Sequence, residues 1–162
     1  YNLLIANIQN AEKVTREPAY SSRAASHGAM DVGSTYAEVD LSNQKAYFIK
    51  DGQVVLSSDV VTGNPNRGNA TPQGTYTLTY KTRNAVLRGE KRPDGTYSYE
   101  SPVAYWMPFN GGIGFHDAPW QSSFGGSRYK SHGSHGCINM PTQKAKEMYN
   151  LISDGTPVIC HY

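Results

Sequence analysis

The sequence predicts a mainly β fold, a sandwich or barrel of mixed sheets with one main helix. Three observations carry that expectation. Twelve tyrosines, sixteen glycines and nine prolines stand against four phenylalanines, a balance suited to pleated strands and many turns rather than to helical packing. Period-two alternation of apolar and polar residues recurs from residue 35 onward. Beyond residue 33 only the segment 141–152 joins helical periodicity to both a start and a stop signal.

Taken in chain order, residues 2–14 place Leu3, Leu4, Ala6, Ile8 and Ala11 at near-helical spacing, which predicts a short amphipathic helix. Residues 15–33 lose the period and carry Pro18, paired serines and Gly28, so 1–32 reads as a linker or the tail of an upstream domain, with the organised domain over 33–162. In 35–41 Ala37, Val39 and Leu41 face one way, as in a half-buried strand. A Ser42-Asn43-Gln44 turn, a strand at 45–50, an Asp51-Gly52 turn and a strand at 53–61 extend this into a meander. Residues 63–74, rich in Gly, Asn and Pro, predict a surface loop, and 75–81 alternates again. Residues 97–109 are strand-like, with Pro102 and Pro108 marking edges or bulges. A short strand at 114–117 carries His116, and 120–133 is a glycine- and serine-containing loop expected to line a cleft. The helix over 141–152 has Pro141 in its first position, a stripe of Ala145, Met148, Tyr149 and Ile152, and Gly155 past its end. Residues 156–161 close the chain as a strand.

Bulk properties narrow the function. A net charge of +2, with 17% charged and 38% hydrophobic residues, lies far from a polybasic nucleic-acid binder. No stretch approaches the roughly 18–20 apolar residues that span a bilayer, and the N-terminus lacks the order of a signal peptide. Because the chain starts at Tyr1 inside an amphipathic stretch, it is expected to be a piece from which a targeting sequence or anchor is left out. Two cysteines, Cys137 and Cys160, are too few for a disulfide scaffold. A bridge between them is the bland alternative to a reactive Cys137 and a buried, inert Cys160.

Ser134-His135-Gly136-Cys137-Ile138-Asn139 lies directly before the helix. The glycine beside Cys137 lets a carbonyl approach the sulfur and nearby N–H groups, the outline of an acyl-transfer site. A free thiol has pKa about 8.5 and needs a base at neutral pH. His135 is tethered two residues away, whereas His116, from a separate strand, can be placed freely and is favoured as the base. His27, His132 and His161 carry no pattern. A zinc site built from His116, His132, His135 and Cys137 is the rival, disfavoured because the paired-ligand spacing is missing; no metal or cofactor is expected. Tyr105, Trp106 and Trp120 are candidate walls of a peptide cleft, Asn139 a turn residue or substrate contact, and Asp117 and Arg128 weaker candidates for charged substrate ends.

His116, seventeen residues (117–133), then Ser134-His135-Gly136-Cys137-Ile138-Asn139 resembles the signature of the YkuD-type L,D-transpeptidases: His, fourteen to seventeen residues, Ser or Thr, His, Gly, Cys, an apolar residue, Asn. Thr71-Pro72-Gln73-Gly74-Thr75-Tyr76 resembles that family's strand entry, and Tyr105-Trp106-Met107-Pro108-Phe109 and Gly112-Ile113-Gly114-Phe115-His116-Asp117 look like members from Gram-positive cocci and their relatives. The resemblance runs from about residue 33 to the C-terminus. It implies a YkuD-like β fold and a cell-surface, extracytoplasmic catalytic domain whose only link to the membrane is an anchor outside this sequence. It implies that Cys137 attacks the bond between the third residue of a donor stem, a diamino acid, and the D-alanine in fourth position, then passes the acyl group to an acceptor amine as a 3-3 cross-link. It further implies His116 as base, a backbone carbonyl near Ser134 orienting it, an oxyanion hole from the N–H groups of His135, Gly136 and Cys137, and acylation by carbapenem β-lactams. Water as acceptor would make the enzyme an L,D-carboxypeptidase; loss of chemistry would leave a silent wall-binding module.

Overall fold

The computed structural model describes residues 32–162, so the predicted helix at 2–14 and the linker that follows lie outside the described residues. Among the described residues nine strands make two mixed sheets. The first runs in the order β3-β2-β1-β9-β4, and the second in the order β5-β6-β7-β8.

The first sheet begins as expected. Strand β1 (Tyr36–Asp40) buries Ala37 and Val39, β2 (Lys45–Lys50) pairs with it antiparallel, and β3 (Gln53–Asp59) pairs with β2. The final strand β9 (Pro157–His161) returns parallel to β1, and β4 (Gly74–Thr77) lies antiparallel on its other side. Strand β4 is shorter than the alternation over 75–81 predicts. The chain leaves the sheet after Thr77: Leu78 donates to Thr156 O and Thr79 to Pro108 O.

In the second sheet β5 (Thr82–Arg88) has no counterpart among the predicted strands. Its apolar residues Ala85, Val86 and Leu87 run together between polar ones, none of its residues is buried, and Asn84 sits at φ +55°, so no apolar alternation announces it. It pairs with β6 (Glu100–Asn110), which continues through both prolines. Pro108 stands at a register irregularity opposite β7 (Ile113–Asp117). Pro102 pairs only with β5, beyond the reach of β7, so its missing N–H breaks no ladder on that side. The three-residue β8 (Ile138–Met140) lies parallel to β7 and is fully buried, too short for any periodicity to show.

Helix α1 (Tyr129–His132) is a single turn inside the predicted loop, and α2 (Thr142–Leu151) is the main helix. Pro141 is its N-cap residue, in extended geometry, rather than its first helical residue. Lys81 Nζ donates to the carbonyls of Tyr149 and Ile152 at 2.8 and 2.6 Å, placing a cation on the carbonyls at the C-terminal end of the helix. Ala145, Met148 and Ile152 of this segment join Phe48, Leu56, Met107, Phe115, Ile138 and Val158 in one core fed by both sheets and the helix. Cys160 lies in that core at 2% exposure, and neither cysteine is bridged.

Candidate active site

Register places the pieces. On the parallel ladder His116 of β7 lies opposite Asn139 of β8. Cys137 is two residues before Asn139 and so projects on the same side as Asn139, roughly 6–7 Å along the strand from the level of His116. Cys137, His116, His135, Ser134, Asn139, Trp120 and Arg128 all line one cavity of about 500 Å³, whose wall also includes Arg67, Tyr99, Gln121 and residues of the short helix over 129–132. No carboxylate is among the residues lining it.

The segment carrying Cys137 is clamped by the chain leaving β3. Val61 and Asn139 exchange N–H···O bonds, Ser134 N–H donates to Thr62 O, and Asn64 N–H donates to Ser134 O. Predicted as a plain surface loop, 63–74 thus has a buried start and a buried Thr71: Gly63 lies so close that a Cβ there would stand 2.9 Å from Gly136 Cα. The middle of the loop is exposed and forms a 3₁₀ turn at Pro65–Arg67. The Ser134 hydroxyl donates to Cys137 O at 2.7 Å and accepts from Gly136 N–H at 3.0 Å. Gly136 N–H is therefore spoken for. Among the described residues no acceptor takes the N–H groups of His135 or Cys137, so the three-donor hole implied by the resemblance reduces to two.

His116 is buried, with its ring near those of Trp106 (6.0 Å) and Trp120 (5.9 Å). Its Nδ1 lies 2.9 Å from Asp117 O. A carbonyl only accepts, so Nδ1 carries the proton and Nε2 has the lone pair of the neutral ring. The orienting carbonyl belongs to Asp117, the next residue in the chain, not to the vicinity of Ser134. Burial holds the imidazole below its ordinary pKa, against the opposing pull of Asp117. The Cys137 thiol donates to Gly112 O at 3.3 Å, and burial pushes it up to about 11 despite the Gly114 N–H nearby. The resting pair is neutral thiol and neutral imidazole.

Not every predicted residue enters the cavity. Asp117 is buried, and its Oδ1 accepts from the N–H groups of Ala104 and Tyr105 at 2.8 and 2.9 Å, extending the ladder where β7 ends. Tyr105 is turned to Tyr149 of the helix, ring centroids 5.4 Å apart, and Trp106 packs behind His116 with its Nε1 donating to Tyr80 O–H at 3.3 Å. Neither lines the cavity. Trp120 does, half exposed, and the buried Asn139 brings an Oδ1 with no partner among the described residues. Tyr99, not singled out by the sequence, stacks on the His135 ring at 4.9 Å and 17°; its hydroxyl pKa is raised by burial and then by Cys137. Only its place at the end of a strand-like run marks it. Among the described residues no three His, Cys, Asp or Glu side chains gather to hold a metal ion.

Comparison with known proteins adds the following. The family model for the YkuD L,D-transpeptidase catalytic domain matches residues 34–160. The chain is 30% identical over 124 residues to a probable L,D-transpeptidase 3 of Mycobacterium tuberculosis, covering 72% of this chain and 41% of that protein. It thus spans about two fifths of that relative's length. A crystal structure of a mutant Enterococcus faecium L,D-transpeptidase aligns with TM-score 0.76 and 38% identity, over 99% of this chain and 62% of that one. The catalytic domain of an E. faecium L,D-transpeptidase acylated by ertapenem, solved by NMR, aligns with TM-score 0.68 and 46% identity, over 79% of this chain and 97% of that one.

Proposed function

The chain belongs to the YkuD family of L,D-transpeptidase catalytic domains, and from that premise we propose that it cross-links peptidoglycan stem peptides through a Cys137 thioester. The observation that carries the reading is the meeting of Cys137 and a correctly tautomerised His116 in one cavity free of carboxylates. As the sulfur attacks the carbonyl that joins the third stem residue to the terminal D-alanine, its proton passes to His116 Nε2. The carbonyl oxygen takes the N–H groups of Cys137 and His135, and the imidazolium returns the proton to the departing D-alanine amine. An acceptor amine then attacks the thioester, gives its proton to His116, and the proton goes back to the sulfur as the new amide forms. Ser134 and Gly136 shape the turn. Trp120, Asn139 and Arg128 meet the donor stem, with the unpartnered Asn139 Oδ1 open to a stem N–H. Asp117, Tyr105 and Trp106 act from behind by fixing His116.

Residues 33–162 form the catalytic domain, and 1–32 a linker or upstream tail. Its place is the cell surface, and a carbapenem would acylate the same sulfur, as ertapenem does the E. faecium domain. No helix among the described residues is long and apolar enough to cross a membrane. The test is product analysis with a tetrapeptide stem, with and without an acceptor amine. Free D-alanine and an amine-dependent dimer are expected; a tripeptide acid alone would mean that water is the acceptor. Cys137→Ala should give neither, His116→Ala almost none, and His135→Ala a reduced but measurable rate. Turnover by Cys137→Ala would end the proposal.

A further inference from the structure

Thr71 stands in the loop before β4, 2% exposed and outside the cavity lining. Its Oγ1 accepts from Gly63 N–H at 2.9 Å and donates to Gly136 O at 2.7 Å, across 65 residues of sequence. Gly63 N–H can only donate, so the single hydroxyl proton is committed to the Gly136 carbonyl. That carbonyl belongs to the peptide unit whose nitrogen is that of Cys137. In a trans peptide the N–H and C=O point opposite ways, so holding the carbonyl against Thr71 turns the Cys137 N–H away from Thr71, where no acceptor among the described residues takes it. The unit has little room to drift. Gly136 is held at φ +125°, and a Cβ on it would stand 2.9 Å from Ile113 Cδ1, while Gly63 closes the other side. On the far side of Cys137, Ser134 holds the next carbonyl.

We propose that Thr71 is a positioning residue for acyl transfer: its hydroxyl sets the plane of the Gly136–Cys137 peptide and so aims the Cys137 N–H at the oxygen of the carbonyl under attack. This rests on Cys137 being the nucleophile. Two rates on the full chain separate aiming from mere packing. Acylation by a carbapenem needs the aimed N–H; alkylation of the sulfur by iodoacetamide does not. Thr71→Val, which keeps the shape and removes the hydroxyl, should acylate about 10²-fold more slowly with its alkylation rate unchanged, and Thr71→Ser should restore acylation. Should the valine variant fail to fold by circular dichroism, Thr71→Ala, with room for water at the freed groups, is read by the same two rates. Acylation at the unsubstituted rate, or acylation and alkylation falling in parallel, would overturn the inference. An unsubstituted chain that is alkylated but never acylated would instead remove the reading beneath it.

Discussion

The carbonyl of Gly112 accepts a hydrogen bond from the Cys137 thiol, and burial keeps that thiol neutral to about pH 11. On the proposed mechanism the neutral His116 ring removes the proton as the sulfur attacks, which gives the pH dependence a definite sign. With its pKa depressed below the ordinary 6.5, His116 is a competent base throughout the neutral range. Acylation should rise to a plateau below about pH 6.5 and stay level into the alkaline range, whereas alkylation by iodoacetamide, which needs the thiolate, should keep climbing. An acylation rate growing about tenfold per unit from about pH 7 to 9 would indicate a free thiolate and no use for His116. At this scale the sequence was legible where chemistry repeats in local order: the spacing singles out Cys137 and His116, and both line one cavity. The work of Asp117 and Thr71 was not. Asp117 bonds backbone N–H groups of another strand and Thr71 a carbonyl 65 residues away, and nothing in their neighbours hints at those partners.

Among the elements, the strands with clean alternation were readable: β1 formed where Ala37 and Val39 said it would, β2 over its expected range, and β3 two residues short of its own. Strand β5 is hidden because its apolar residues Ala85 to Leu87 do not alternate and none is buried, and β8 by its three-residue length and complete burial. The parallel return of β9 onto β1 depends on contacts at opposite ends of the domain and includes one titratable pair. His161 Nε2 lies 3.0 Å from Glu38 Oε1, with side chains 42% and 27% exposed. Donating a hydrogen bond to the Glu38 carboxylate raises the His161 pKa, opposed by partial desolvation. A raised histidine pKa stabilises the fold fully below the unfolded value near 6.5 and loses that contribution as pH rises through the folded value. Glu38→Gln should therefore lower Tm at about pH 5.5 by an amount equivalent to about 0.2–1 kcal/mol, as suits a solvent-screened pair. The difference should vanish by about pH 9. A pH-independent difference would assign the loss to packing at the β1–β9 seam.

For the described residues as a whole, two mixed sheets and the main helix share a core that fixes β7 and β8 side by side, and the candidate site lies where β8 begins beside β7. Composition foretold the β architecture; the joining of β3's exit loop to the Cys137 turn could not be foretold, because it is a tertiary contact between segments far apart in the chain. The same core encloses Cys160, whose thiol burial pushes up to about 12, leaving Cys137 as the cysteine that lines the cavity. Intact-protein mass spectrometry after mixing the chain with a donor tetrapeptide, followed by peptide mapping, tests the thioester directly. The predicted result is a mass gain equal to the donor less D-alanine, carried on the peptide containing Cys137. No adduct, or an adduct carried by Cys160, would contradict it.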